Sequence, residues 1–283
     1  MKLTVEAISK NFGKNNALNN FSATFEEGHI YGLLGRNGAG KSTLLNIITD
    51  RVFASSGSVK IDGTVVTANS NQLNKIHMMS EANYYPDDKK CKDILKAIDS
   101  LTDNFNYDKA IELADKFEIS LNKTTKALST GYRTIFKIIV ALSMKVNFLV
   151  LDEPTLGLDA ISRDLLYIEI SKYLLENEHS CIIISTHLIE EVETLVDYFY
   201  LINKGSLMFC GDKEQVLGNL LLVSGNKEKV VSSVKDAKVL NSSTQLDRLE
   251  VLVEKIEIND ESLTVRHPSL QELFIKLAGV RNE

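Results

Sequence analysis

The sequence predicts an α/β fold: a parallel sheet with helices on its faces, an antiparallel β layer ahead of it, a helical insertion within it and a small α+β appendage after it. Three observations carry this. A compact apolar run, 29–34, feeds a glycine-rich turn and then a stretch, 42–50, with apolar residues at helical spacing. Between 148 and 202, strand-like runs alternate with helical patterns, the βαβα order of a parallel sheet. From Cys91 to about Met144 strand character disappears, and apolar residues recur at helical spacing instead.

In chain order, alternation at Leu3, Val5 and Ala7 and again at Phe21, Ala23 and Phe25 predicts early antiparallel strands. Asp62-Gly63, between Val59-Lys60-Ile61 and Val65-Val66, marks a hairpin, because both turn positions need a positive φ. After the 29–34 strand comes a helix through Leu44, Leu45 and Ile48. The insertion places helical faces at Ile94, Leu95 and Ile98, at Ile111, Leu113, Ala114 and Phe117, and at Ile135, Ile138, Ile139 and Leu142. Strands are then expected at 148–151, 181–185 and 198–202, with helices at 161–176 and 188–196 between them. Beyond about Gln215 the texture turns Ser- and Lys-rich, with a strand over 249–258 and, after Pro268, a helix over 270–277. The expected division is therefore 1–214, containing a helical subdomain at about 88–146, and 215–283.

At 283 residues, with 44% hydrophobic and 25% charged, the composition is that of a globular protein with a sizeable core. A net charge of -6 argues against long nucleic-acid grooves, which need clustered Lys and Arg, so no nucleic acid is expected as a partner. The longest apolar runs, such as 138–142 and 181–184, fall far short of the roughly 20 residues of a membrane span. Met1 to Lys10 lack the pattern of a secretory signal, and a cytoplasmic chain is expected. Cys91, Cys181 and Cys210 suggest neither disulfides nor a zinc ligand set.

Gly35, Arg36, Asn37, Gly38, Ala39, Gly40, Lys41 and Ser42 spell G-x-x-x-x-G-K-[ST], directly after a predicted strand and opening a helix. Glycines let backbone N–H groups wrap a phosphate, the helix N-terminus adds positive potential, and Lys41 supplies charge between the β- and γ-phosphates. Ser42 offers a hydroxyl to Mg²⁺, and Thr43 another to phosphate. A second element is Phe148-Leu149-Val150-Leu151-Asp152-Glu153, a buried strand ending in two carboxylates at the ligand-binding edge of an α/β sheet. There Asp152 can hold Mg²⁺ through its water shell, and Glu153 can polarise a water for in-line attack on the γ-phosphate. His187 follows another buried strand, where an imidazole can donate to the γ-phosphate.

With these motifs the sequence resembles the ATP-binding subunits of ABC transporters. Leu128-Ser129-Thr130-Gly131-Tyr132 is similar to the family signature Leu-Ser-Gly-Gly-Gln, and Leu151-Asp152-Glu153-Pro154-Thr155-Leu156-Gly157-Leu158-Asp159 and Ser185-Thr186-His187 complete the set, over residues 1 to about 220. The resemblance implies a RecA-like P-loop core with the β layer and helical subdomain already read. It also implies ATP and Mg²⁺ as ligands, Glu153, His187 and Lys41 as catalytic residues, and a dimer in which two cassettes sandwich two ATP molecules. Ser129 and Gly131 would face the nucleotide of the partner cassette, and Asp159 would lie at the interface. Phe12 either stacks on adenine or is an ordinary core aromatic. The second ATP-binding subunit is an identical or a different chain. A separate membrane-spanning subunit would carry the permeation path, with this chain at the inner face of the cell membrane.

Departures from the pattern are Thr130 for a glycine, Tyr132 for the glutamine, and Glu81 where the family has a glutamine between core and helical subdomain. Glu81 reads either as a Mg²⁺ ligand or as a solvated strand end, and His77 beside it has no explanation from sequence. Pro268-Ser269-Leu270-Gln271-Glu272-Leu273-Phe274 resembles the tail of exporter-type cassettes found in drug and antimicrobial-peptide export and resistance systems. A soluble cassette of translation or DNA repair would need a second cassette or a long coiled coil, and a nucleotide-sensing regulator would not need the retained Lys41, Asp152, Glu153 and His187.

Overall fold

The computed structural model describes residues 1–68, 70–245 and 248–278. Residues 246–247 and 279–283 of the predicted appendage lie outside the described residues. An N-terminal hairpin, β1 (Lys2–Phe12) and β2 (Asn15–Glu26), leads into β3 (Ile30–Leu34) and α1 (Lys41–Ile48), followed by β4 (Ser56–Ile61), β5 (Thr64–Val65) and β6 (Ile76–Met79). Three helices come next: α2 (Cys91–Leu101), α3 (Tyr107–Lys116) and α4 (Thr130–Leu142). Then follow β7 (Phe148–Asp152), α5 (Ala160–Glu176), β8 (Cys181–Thr186), α6 (Ile189–Val192), β9 (Tyr198–Asn203) and β10 (Ser206–Asp212). The chain ends with α7 (Lys213–Gly218), β11 (Leu220–Asn226), α8 (Lys227–Ser233), β12 (Val239–Gln245), β13 (Arg248–Glu254), β14 (Thr264–Arg266) and α9 (Leu270–Ala278).

The central sheet has the order β10-β9-β3-β8-β7-β6, parallel except for the β9–β10 hairpin. Its middle strands β3, β7 and β8 are buried along their whole length, as expected of strands covered on both faces. β3, β7 and β8 all end at the same edge, which brings the turn after β3, the carboxylates after β7 and His187 after β8 together.

An antiparallel layer, β2-β1-β4-β5, covers one face. Tyr200 of β9 ties the two sheets together: its hydroxyl donates to the Thr24 carbonyl at 2.7 Å and accepts from the Thr24 N–H at 2.9 Å, and burial pushes its pKa up. The Asp62-Gly63 turn has both residues at positive φ, as its dipeptide predicted. Ala7 departs from the alternation: it is exposed, and Ile8 takes the core position. The register slips between Val5 and Ile8, where Ala7 has φ 48° and Gly57 sits so close that a Cβ would lie 2.4 Å from the Glu6 carbonyl.

The opposite face carries the three inserted helices. All residues of α4 from Thr134 onward are buried, so this helix is part of the main core as much as of the insertion. A single apolar cluster joins it to α5, the central sheet, Leu220, Leu222, Leu252 and the inner face of α9. Two predicted elements are shorter than their patterns. α6 stops at Val192 rather than continuing to 196, because Asp197 must enter the sheet edge, where its N–H donates to the Ile30 carbonyl and its carboxylate accepts from the Ile30 N–H. β13 ends at Glu254 rather than near 258, since its partner β11 begins at Leu220.

The terminal sheet, β12-β13-β11-β14, is antiparallel, with α8 and Leu263 covering one face and α9 packed against the other. Leu270 N–H, at the start of α9, donates to the Glu193 carboxylate at 2.8 Å, while Glu190 N–H donates to the Gln271 side-chain oxygen at 3.3 Å. α9 therefore braces α6, the short helix that follows His187.

His77 lies on β6, where burial, helped by the Arg51 guanidinium, lowers its pKa to about 4. Its folded pKa is depressed below the unfolded value, so it is neutral in the folded state and takes up a proton on unfolding at mildly acid pH. Stability should therefore fall as pH drops from about 6.5 toward 4, by about 3 kcal/mol, and level off below that. Urea titrations of wild type and His77→Gln across this range check it: the slope should be shallower in the variant, and parallel profiles would disprove the assignment.

Candidate active site

The turn after β3 is held in shape by packing that admits only glycine at two points. A Cβ on Gly35 would lie 2.3 Å from the Ile202 carbonyl, and one on Gly40, at φ 109°, 2.6 Å from the Ala17 carbonyl. Gly35 and Arg36 turn their carbonyls inward to accept from the Lys41 ammonium, at 2.9 and 3.4 Å. Lys41, only 5% exposed, lies 3.4 Å from Glu153 Oε1.

Glu153 has φ 49°, an unusual value for a residue with a Cβ, and its side chain is nearly buried. Its Oε2 accepts from the Thr186 hydroxyl at 2.9 Å and its Oε1 lies 3.0 Å from His187 Nδ1. One carboxylate is thus oriented by a hydroxyl and an imidazole at the end of β8 and an ammonium at the start of α1. Asp152, one residue earlier, is 2% exposed, and burial raises its pKa, although the Ser185 and Ser42 hydroxyls and Lys41 oppose the rise. Its Oδ1 is buried without a hydrogen-bond partner. An orphaned carboxylate oxygen beside the Ser42 hydroxyl suits a hard divalent cation, so these residues fit Mg²⁺.

A cavity of about 720 Å³ opens above these groups, lined by Asn37, Gly38, Ala39, Gly40, Lys41, Ser42 and Thr43, by Glu153 and His187, and by Phe12 and Glu81 at greater reach. Phe12 is 50% exposed, with Lys10 Nζ 4.8 Å from its ring centroid, so it is not a core aromatic. Glu81 is exposed beyond the end of β6. Sequence reasoning missed Asn15, Asn16, Ala17, Leu156 and Lys204 on the wall; Lys204, at φ 46° beside Gly205 in the β9–β10 turn, was legible only as a turn signal. Thr186, the middle residue of Ser185-Thr186-His187, is completely buried against Glu153, a role its residue type alone does not signal.

Ser129, Gly131 and Asp159 are not among the lining residues. Ser129 caps α4, its hydroxyl accepting from Tyr132 N–H at 3.3 Å, and Asp159 caps α5 by accepting from Ser162 N–H at 2.7 Å, a bond that holds the Asp159 carboxyl below its ordinary range. A Cβ on Gly131 would lie 2.5 Å from the Gly157 carbonyl, so the start of α4 is fitted to the loop that follows Glu153.

The chain is 30% identical, over 310 aligned positions covering 98% of each protein, to the linearmycin resistance ATP-binding protein LnrL of Bacillus subtilis (strain 168). The chain belongs to the ABC transporter family. The family model described as ABC transporter matches residues 18–156. It is an ATP-hydrolysing, nucleotide-binding subunit of that family. The ABC transporter ATP-binding protein YtrB of the same organism is 29% identical over 76% of this chain and 73% of its own. Among solved structures, an ATP-binding subunit of an ABC transporter superposes with a TM-score of 0.69 at 21% identity, covering 76% of this chain and 92% of that one. A dimeric cassette in a post-hydrolysis state with ADP and Pi gives 0.65 at 20% identity, covering 74% and 98%. The RecA-like P-loop core expected of the family is the fold described above.

Replacing Thr186 by Val would keep its volume but leave Glu153 Oε2 without its donor. Turnover should fall about tenfold with ATP affinity nearly unchanged, the signature of lost orientation rather than lost binding. Steady-state kinetics beside nucleotide binding check this; a loss confined to affinity would disprove it.

Proposed function

We propose that this chain drives a separate membrane-spanning subunit, in an exporter, by hydrolysing ATP at the cavity above Lys41 and Glu153. The observation that carries this reading is the convergence of Lys41, Thr186 and His187 on one buried carboxylate at the floor of a phosphate-binding loop. Export is favoured by full-length similarity to a resistance protein and by the lantibiotic transport ATP-binding protein SrtF of Streptococcus pyogenes, 30% identical over 89% of its own length. Among the described residues no helix is long and apolar enough to cross a membrane, which fits a permeation path on another polypeptide at whose inner face this chain docks.

In this reading Phe12 stacks on the adenine, the N–H groups of residues 35 to 43 wrap the phosphates, and Lys41 leaves its loop carbonyls to bind between the β- and γ-phosphates. Ser42, Asp152 and Glu81 would hold Mg²⁺. An ion held there would supply electrostatic stabilisation of the charge that develops on the phosphates. Glu153 takes the proton of the attacking water, held in place by the Thr186 hydroxyl, while His187 orients Glu153 and donates to the γ-phosphate. Ser129 and Gly131 lie outside the cavity of their own chain, which supports a role toward the nucleotide of a second cassette, identical or not. The N-terminus of α4 would bring its N–H groups and positive potential to that γ-phosphate, and Asp159 would sit at the same interface.

Glu153→Gln preserves shape and removes the base. Hydrolysis should fall by at least about 100-fold while ATP-dependent dimer accumulates on a sizing column. Near-normal turnover in this variant sinks the assignment, and purification from membranes without a multi-span partner sinks the transporter role.

A further inference from the structure

Lys137 belongs to none of the motifs. It sits in the middle of α4, only 8% exposed, and its ammonium donates to the carbonyls of Ser80, at 3.0 Å, and Glu81, at 2.7 Å. A buried ammonium is costly unless it is paired, and an apolar side chain here would pack the helix without that cost. Burial pulls the Lys137 pKa down, the Glu81 and Asp152 carboxylates work against that by favouring the charged form, and the Arg133 guanidinium opposes them.

We propose that Lys137 is a positioning residue for ATP hydrolysis: a buried counter-charge that pins the chain at Ser80 and Glu81 to α4 and offsets the carboxylate that Glu81 brings to the cavity. The inference rests on the cavity's reading as the nucleotide site. Glu81 and Glu153 bring carboxylates to the lining of a cavity meant for polyphosphate, with Asp152 beneath; Lys41 and Lys204 are the ammoniums on the lining, and the Lys137 ammonium lies behind Glu81, bonded to its carbonyl. Without Lys137 no side-chain cation among the described residues is bonded to the chain at Ser80 and Glu81. A neutral residue at position 81 would create no such debt, so the two side chains form one charge-balanced unit that spans the end of β6 and the middle of α4. The same segment is anchored from its other side, where the Arg51 guanidinium donates to the Met78 carbonyl at 3.4 Å. Lys137 thus ties the helix that begins at Ser129 to the residue at the cavity mouth, within one chain.

The test is a double-mutant cycle on the full chain with Lys137→Met, Glu81→Gln and both together, plus Lys137→Arg. Two readouts are followed: binding of mant-ATP in EDTA, which needs neither metal nor turnover, and kcat and KM in Mg²⁺. Lys137→Met should weaken metal-free binding about fivefold and Glu81→Gln should tighten it by a similar factor, while the double variant returns to within about twofold of wild type. In Mg²⁺, Lys137→Met should lower kcat about tenfold, and Lys137→Arg should keep most of it. A packing role alone would leave the Lys137→Met defect undiminished by Glu81→Gln, and that additive result overturns the proposal. Should Lys137→Met lose its cooperative unfolding transition, Glu81→Gln alone decides: tighter metal-free binding supports the counter-charge, and unchanged binding refutes it. A wild-type chain that binds no mant-ATP defeats the nucleotide-site reading itself, a different outcome from an additive cycle in a chain that binds.

Discussion

Lys41 and Glu153 lie 3.4 Å apart and almost out of water, and much of the surrounding structure bears the cost of keeping both charges there. Burial of either ion alone is prohibitive, and pairing offsets it only when the remaining hydrogen-bonding capacity is met. The Lys41 ammonium is completed by the carbonyls of Gly35 and Arg36, and the Glu153 carboxylate by Thr186 and His187. The partners come in pairs from the ends of β3 and β8, and Glu153 follows β7, so the site exists only when β3, β7 and β8 are in register. The positive φ of Glu153 is the local strain that this arrangement maintains.

Two further connections transmit that constraint outward. On one side, Gly131 meets the Gly157 carbonyl, which fits the start of α4 to the loop leaving Glu153. On the other, α9 exchanges hydrogen bonds with the α6 segment just beyond His187, and Leu270, Leu273 and Phe274 share a core with Ile189, Val192 and Val196. The helical insertion is attached to the core by charge as well as by apolar contact. Glu169 of α5, with its side chain almost fully buried, pairs with Lys116 of α3 at 3.0 Å and Lys172 at 2.9 Å; burial resists its ionisation, yet these partners hold its pKa down. Such paired buried charges lose much if one member moves, so they favour a single seating of the insertion on the core.

The phosphate loop, the alternating strands and helices and the hairpin at Asp62-Gly63 were legible because each is a local matter: a glycine that tolerates positive φ, a period of two or of 3.6, a capping residue beside a helix start. The bulge at Ala7 was not, because it packs against Gly57, fifty residues away in the chain. The early end of α6 depends likewise on a hydrogen bond between Asp197 and Ile30, which no local period encodes. β10, β12 and β14 show no apolar period because none of their described residues is fully buried.

For the site, residue types at strand ends were sufficient to nominate Lys41, Ser42, Asp152, Glu153 and His187, since phosphate chemistry admits few side chains at those spacings. The sequence by itself thereby determined the family, the fold class and the kind of ligand. Only the tertiary structure decided that Thr186 and His187 grip the same carboxylate, that Phe12 is exposed to the cavity, that Ser129, Gly131 and Asp159 stand outside it, and that Lys137 reaches the chain at Glu81. The physical reason is that composition and spacing constrain what a segment can form, whereas burial and partnership are properties of the distances that folding creates between segments.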